Sequence, residues 1–311
     1  MSDESVIWPT FYIVGAPKCG TSSVWAYLRE HPQVFLPDLK EPHFFSIDSV
    51  PENRRPKNKS ARSKWFLRCC GNQEEYNRIY QPGRGFPALG DASSTYLMDQ
   101  NAARRIHEVC PDARIVIMLR DPILRAHSHY LANHNSKASY GVSFMQEIQE
   151  DLAMKDRGWW NAHLHVDLGM YCDQVRRYFD TFGRNNVLIL LTEDLTKRPK
   201  EVLSELTQHL GIDQFPETIE FTGTVHNPYR EPRAKGLYRI LRSEVSLKLR
   251  DALLPESVKN RLRNSKLLYS HDKPELEEEP RRLLQEIFDP EIRCLEELLG
   301  RELPALRKSW K

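Results

Sequence analysis

The chain has 311 residues, 40% hydrophobic and 28% charged, with 45 Lys and Arg against 43 Asp and Glu. That is enough apolar chain for one large domain with a buried core, and a net charge of +2 excludes the broadly basic surface of a general polyanion binder. The amino terminus has no 18-residue apolar run and no basic-apolar leader, so neither a membrane span nor a secretion signal is expected.

Residues 1–10 are a short lead-in. Phe11–Gly15 is an apolar β-type run that stops at a glycine, and Val24–Leu28 resumes with helical spacing. Between them lies Ala16-Pro-Lys-Cys-Gly-Thr-Ser-Ser23. Strand, glycine-containing loop and helix start is an order suited to a phosphate, because the first N–H groups of a helix are unpaired and its dipole favours an anion. Gly15 and Gly20 have the separation of a Walker A loop, but Thr21 occupies the lysine position and the lysine sits inside the loop at Lys18. From there Lys18 reaches a phosphate from the strand side, near a bridging oxygen. Cys19 shares this positive setting, which favours a lowered thiol pKa; it reads as a loop filler rather than a nucleophile.

After this helix comes Phe35–Phe45, which contains Lys40-Glu-Pro-His-Phe-Phe45. Residues 46–64 are rich in Pro, Asn and Ser and carry Arg54, Arg55, Lys57, Lys59, Arg62 and Lys64; they read as a solvated loop that could also attract an anionic acceptor. A helix at 74–80 precedes a turn at Pro82-Gly83. Residues 101–110 read as a helix feeding the buried strand Ala113–Leu119. That strand ends in Arg120-Asp-Pro122, where Asp121 caps and Pro122 opens the next helix. Arg120 thus stands at the carboxyl end of a strand, where open α/β sheets bind ligands, and Ser128 lies on the following helix. A guanidinium and a hydroxyl so placed suit a second, terminal phosphate.

Residues 136–169 show no clean period and contain Trp159, Trp160, His163 and His165, which suit either an acceptor cleft or core packing. Residues 169–182 have helical periodicity and end at Gly183, a C-cap; Asn186–Leu191 is another buried strand, followed by Thr192–Leu195 and a helix over 198–210. Asn227–Arg242 is a basic, proline-containing loop entering a helix. Residues 245–311 read as amphipathic helices broken by Pro255, Pro274 and Pro290, with Glu275–Glu279 on a solvated face. The six cysteines, at 19, 69, 70, 110, 172 and 294, show no metal spacing or disulfide framework and read as reduced thiols. No metal is expected: His43, His127, His129 and His134 do not combine with cysteines in a zinc spacing.

The two phosphate-type segments together resemble the PAPS-dependent sulfotransferases. In that family a P-K-x-G-T-[ST] loop holds the 5′-phosphosulfate of 3′-phosphoadenosine-5′-phosphosulfate, and R-D-P-x-x-R-x-x-S holds its 3′-phosphate. The matching residues are Pro17, Lys18, Gly20, Thr21 and Ser22, with Cys19 and Ser23 in the same loop, then Arg120, Asp121, Pro122, Arg125 and Ser128. Lys40–Phe45 is similar to the K-E-x-H-F-F segment of the heparan sulfate 3-O and N-sulfating enzymes and their bacterial relatives. That likeness implies Glu41 as general base, His43 as its partner and a carbohydrate acceptor. It also implies a late basic loop over the 3′-phosphate, for which Arg233, Lys235 and Gly236 are the candidates. Two departures stand out. Ser46 replaces an aspartate after the phenylalanines, and in Gly90–Leu97 Ala92 occupies the place of a second active-site lysine, leaving Lys40 as the candidate replacement.

The expected architecture is an α/β, P-loop-like three-layer fold with a central parallel sheet flanked by helices. It forms a single domain over 1–311, with a core at about 11–240 and a helical extension at about 245–311. The expected activity is transfer of the sulfuryl group from PAPS to an acceptor hydroxyl or amine without a metal, in the cytoplasm of a bacterial cell. No nucleic acid and no integral membrane segment are expected. A lipid or secondary-metabolite alcohol remains open as acceptor, and a divergent P-loop nucleotide kinase or a catalytically silent nucleotide-binding protein remains open as the class.

Overall fold

The computed structural model describes residues 6–52, 69–134, 142–155, 157–161, 163–217 and 273–310, with the backbone of 231–232 and 269–270. The apolar runs form β1 (Phe11–Gly15), β4 (Arg114–Leu119) and β5 (Val187–Leu191), and two shorter segments form β2 (Val34–Phe35) and β3 (Ala88–Asp91). They make one five-stranded sheet in the order β2-β3-β1-β4-β5, parallel at every pairing. All five residues of β1 and five of the six in β4 are buried. A parallel sheet is covered by helices on both faces, and so its strands are apolar throughout rather than alternating. Gly90 is needed where β3 meets β1: a Cβ there would stand 2.1 Å from the Phe11 ring.

The helices between strands are α1 (Thr21–Arg29), α2 (Gln73–Tyr80), α3 (Ala102–Val109), α4 (Pro122–His134), α5 (Phe144–Ala153) and α6 (Tyr171–Phe182). After β5 come α7 (Thr192–Lys197) and α8 (Pro199–Leu210). These bounds follow the sequence reading to within about two residues, the usual fraying of helix ends. Helix α5 was hidden in the illegible stretch. Its start carries the capping-box sequence pattern Ser143-x-x-Gln146, and the Ser143 hydroxyl accepts the Gln146 N–H at 3.2 Å. That signal was available in the sequence.

The carboxyl-terminal helix α9 (Glu278–Leu299) corrects two expectations. Pro290 lies inside it and does not break it. A proline removes one hydrogen bond and crowds the preceding turn, but Leu284, Phe288, Ile292 and Leu295 are buried along the same face and hold the helix against α6 and α4. Cys172 on α6 and Cys294 on α9 form a disulfide with Cα atoms 5.9 Å apart, contrary to the reduced-thiol reading. The pairing spans 122 residues, and only the docking of two distant helices brings the sulfurs together. Cys19, Cys69, Cys70 and Cys110 are free thiols. Among the described residues no helix is long and apolar enough to cross a membrane.

Candidate active site

The loop after β1 is set by backbone geometry. Lys18 and Gly20 both have positive φ, 70° and 90°, and Gly20 caps α1 without any side-chain hydrogen bond. Glycine takes that conformation freely; a lysine held there is strained, and such strain persists where surroundings over-determine it. Here Arg120 Nη1 donates to the Lys18 carbonyl at 3.4 Å, and the Thr192 hydroxyl donates to the carbonyl of Cys19 at 2.6 Å. Burial lowers the Lys18 pKa and the Arg120 charge lowers it further, with Glu41 opposing. Cys19 fills the loop as expected, fully buried with its sulfur 3.6 Å from the Tyr171 hydroxyl, but burial raises its thiol pKa where the positive setting had suggested a lowered one.

The end of β4 is built as the sequence implied. The Asp121 carboxylate accepts the N–H groups of Ile123 and Leu124 at 2.9 and 3.1 Å, capping α4, and its second oxygen accepts the Ser309 N–H at 2.8 Å. Burial raises its pKa against these donors. Tyr171 at the start of α6 donates to the Arg120 carbonyl at 3.0 Å. Arg125 points the other way: it is fully buried and donates to the His165 carbonyl, so it ties α4 to the segment before α6.

Glu41 and His43 sit in a turn between β2 and α2, again with positive φ at 64° and 53°. Glu41 Oε1 accepts Lys40 Nζ at 3.0 Å and the Ser94 hydroxyl at 2.8 Å, and its Oε2 lies 3.8 Å from His43 Nε2. Burial pushes the Glu41 pKa up, but Lys40 and His43 outweigh it, aided by hydrogen bonds from Lys40 and Ser94, and bring it down to about 2. The turn is anchored from below by a carboxylate that the sequence did not single out. Asp91, at the end of β3, accepts hydroxyls from Ser93, Tyr76 and Tyr96 at 2.7, 2.8 and 2.9 Å. Ser93 Oγ in turn accepts the His43 N–H at 3.1 Å, and the Tyr96 oxygen accepts the Phe45 N–H at 3.4 Å. Burial raises the Asp91 pKa to about 6, against the lowering effect of its three donors. His43 Nδ1 meets Thr95 Oγ1 at 2.7 Å, and Trp159 stacks on the imidazole with ring centroids 5.2 Å apart.

These parts surround one cavity of about 620 Å³ at the carboxyl ends of the strands. Its lining includes Pro17, Lys18, Gly20, Thr21, Ser22 and Ser23 from the loop after β1, Arg120 and Ser128 from the end of β4 and from α4, and Lys40, Glu41 and Ser94. Ala92 is buried and contributes nothing to the wall, so Lys40 is the basic residue beside Glu41. Several contributors escaped sequence reasoning. Thr192 at the end of β5 lines the cavity, as do Leu306 and Lys308 from the last turn of the chain, with Lys308 Nζ 2.8 Å from Glu193. Lys273 comes within electrostatic reach of Arg120 and Lys18; partial desolvation lowers its pKa first, and those two charges next. Arg233, Lys235 and Gly236, and the basic residues at 54–64, lie outside the described residues.

A family model described as "Sulfotransferase family" matches residues 9–217. Human carbohydrate sulfotransferase 15 is 26% identical over 74% of this chain and 48% of its own length. Mouse heparan sulfate glucosamine 3-O-sulfotransferase 6 is 28% identical over 66% of this chain and 53% of its own. The chain thus spans about half the length of these curated relatives. The crystal structure of a sulfotransferase from Alicyclobacillus acidocaldarius superposes with a TM-score of 0.72 at 28% identity, covering 97% of this chain and 100% of that one.

Proposed function

The chain belongs to the sulfotransferase family, and on that premise we propose that it moves the sulfuryl group of PAPS to a hydroxyl or amine of a carbohydrate. The observation that carries this reading is the single cavity joining the Lys18 loop, the Arg120–Ser128 pair and the Glu41 carboxylate. A carbohydrate is favoured because the curated relatives include carbohydrate and heparan sulfate sulfotransferases.

The assignment of roles follows from charge. Arg120 and Ser128 hold the 3′-phosphate, selecting the 3′-phosphorylated donor over ADP. Lys18 and the N–H groups at the start of α1 face the 5′-phosphate. As the sulfur–oxygen bond to that phosphate breaks, they stabilise the charge left on the bridging oxygen. Glu41 takes the acceptor proton as the new sulfur–oxygen bond forms. A carboxylate with a pKa of about 2 is ionised at neutral pH but weakly basic. Lys40 is the cause that can move: drawn toward the sulfuryl oxygens of the bound donor, it releases Glu41 Oε1 and raises its basicity at the moment of transfer. His43, held by Ser93 and Thr95, keeps the carboxylate oriented.

The test is calorimetric titration with adenosine 3′,5′-bisphosphate, ADP and ATP without added metal. Tight binding of the bisphosphate and weak binding of ADP is the expected result. Magnesium-dependent ATP binding with no preference for the 3′-phosphate would overturn the donor assignment and favour nucleotide-dependent phosphoryl transfer as the activity.

A further inference from the structure

The segment between α5 and α6 carries chemistry that sulfuryl transfer does not use. His163 and His165 lie in turn and bend conformation before α6, and a ring nitrogen of each approaches Glu147 on α5. His165 Nε2 lies 2.6 Å from Glu147 Oε2, and His163 Nδ1 lies 3.8 Å from the same oxygen. All three donor atoms lie within 4.8 Å of one another. Glu147 and His165 are buried, and His163 keeps one third of its side chain in contact with solvent.

The scaffold under this cluster is rigid for independent reasons. Asp151, fully buried, accepts the N–H groups of His165 and Val166 at 2.6 and 2.7 Å. Arg157 bridges Asp151 and Asp167 at 2.8 and 2.7 Å. The backbone that presents the two imidazoles is therefore fixed by a separate ion-pair network, which lowers the ordering entropy that ligand convergence would otherwise require.

We propose that Glu147, His163 and His165 form a binding site for a divalent transition-metal ion of the zinc class, outside the sulfuryl-transfer cavity. Two imidazole nitrogens and one carboxylate oxygen are a recurrent three-ligand set for zinc, with the fourth position left to water. Zinc–ligand bonds of about 2.0–2.2 Å need the short His165–Glu147 contact to open by roughly half an ångström to one ångström. The Glu147 side chain would supply that by rotation, and metal binding would require the ligating imidazole nitrogens to be unprotonated. The partly exposed His163 provides the entry path and the solvent-facing open position.

The site would act as a structural clamp. Trp159, on the same segment, stacks on His43, and Arg125 of α4 is held by the His165 carbonyl. A cation here would join α5 to the wall that faces the acceptor side of the cavity.

The experiment is calorimetric titration of untagged, chelator-treated protein with Zn²⁺, alongside the Co²⁺ absorption spectrum. We expect one equivalent to bind, visible d–d bands of a four- or five-coordinate site, and an affinity about 100-fold lower in His163→Ala. His163 is exposed enough for that variant to fold; Glu147→Gln, checked by circular dichroism, should behave likewise. Absence of Zn²⁺ binding in the parent protein overturns the proposal, as does binding that both variants retain, which would place the ion elsewhere on the chain. Neither outcome bears on donor binding, so this inference and the sulfotransferase reading can fail separately.

Discussion

The wall we assign to the donor and the wall we assign to the acceptor, called below the donor wall and the acceptor wall, are built on different principles. The donor wall is backbone: the loop after β1, the start of α1 and the end of β4 hold each other through bonds such as Ala16 N–H to the Met118 carbonyl at 2.8 Å. Its ligands would meet N–H groups and side chains placed by strand ends. The acceptor wall is a turn with two strained residues, Glu41 and His43, held by side chains from β3 and its following loop and covered by Trp159. The difference teaches that donor binding should tolerate damage to any single side chain on the acceptor wall, whereas catalysis should depend on each link in that chain of hydrogen bonds.

The sharpest break of this comparison is Glu41→Gln. It should lower kcat by about 10²–10⁴, the range for loss of a general base, with bisphosphate affinity changed less than about threefold. Turnover close to the parent value would move the base elsewhere, with His43 next in line. The converse experiment is Arg120→Ala, expected to weaken adenosine 3′,5′-bisphosphate by about 10- to 100-fold, the scale of a lost charge-assisted hydrogen bond, and to weaken ADP clearly less, through the lost bond to the Lys18 carbonyl alone. Equal losses for both nucleotides by calorimetry would take the 3′-phosphate away from Arg120.

Smaller effects test the anchoring. Ser93→Ala removes the link between Asp91 and the His43 backbone and should lower kcat by about three- to tenfold, equivalent to one hydrogen bond of about 1 kcal/mol. Donor affinity should hold. A matching loss of donor binding would show that the two walls are coupled. Lys40→Ala probes the electrostatics. Lys40 stabilises the ionised form of Glu41, so its removal raises that pKa, and the acid limb of kcat/KM should move to higher pH. An unmoved limb would mean that another group titrates there.

Much of the donor wall was legible because it is contiguous. Phe11–Ser23 and Ala113–Ser128 each hold a strand, a turn and a helix start in one stretch, so residue order dictates where Lys18, Arg120 and Asp121 point. The Glu41–His43 turn was legible only through family resemblance, since nothing local announces a positive φ at a glutamate. The Asp91 anchor could not be read, because its partners Tyr76, Ser93 and Tyr96 belong to different elements and meet only when β3 docks. Helix α5 was missed although its capping-box pattern was present, since ten residues amid irregular sequence give little period to detect.

What the sequence by itself determined is the parallel sheet, the strand-to-helix turns that carry Lys18 and Arg120, and the order of helices, all consequences of hydrophobic period and local turn chemistry. Tertiary structure alone decided the Cys172–Cys294 disulfide, the continuity of α9 through Pro290, the arrival of Lys308 at the cavity, the approach of Lys273 to the charges of Arg120 and Lys18, and the convergence of Glu147, His163 and His165. Each depends on residues far apart in the chain, or on packing energy that outweighs a local preference, and neither is written in any single stretch of sequence.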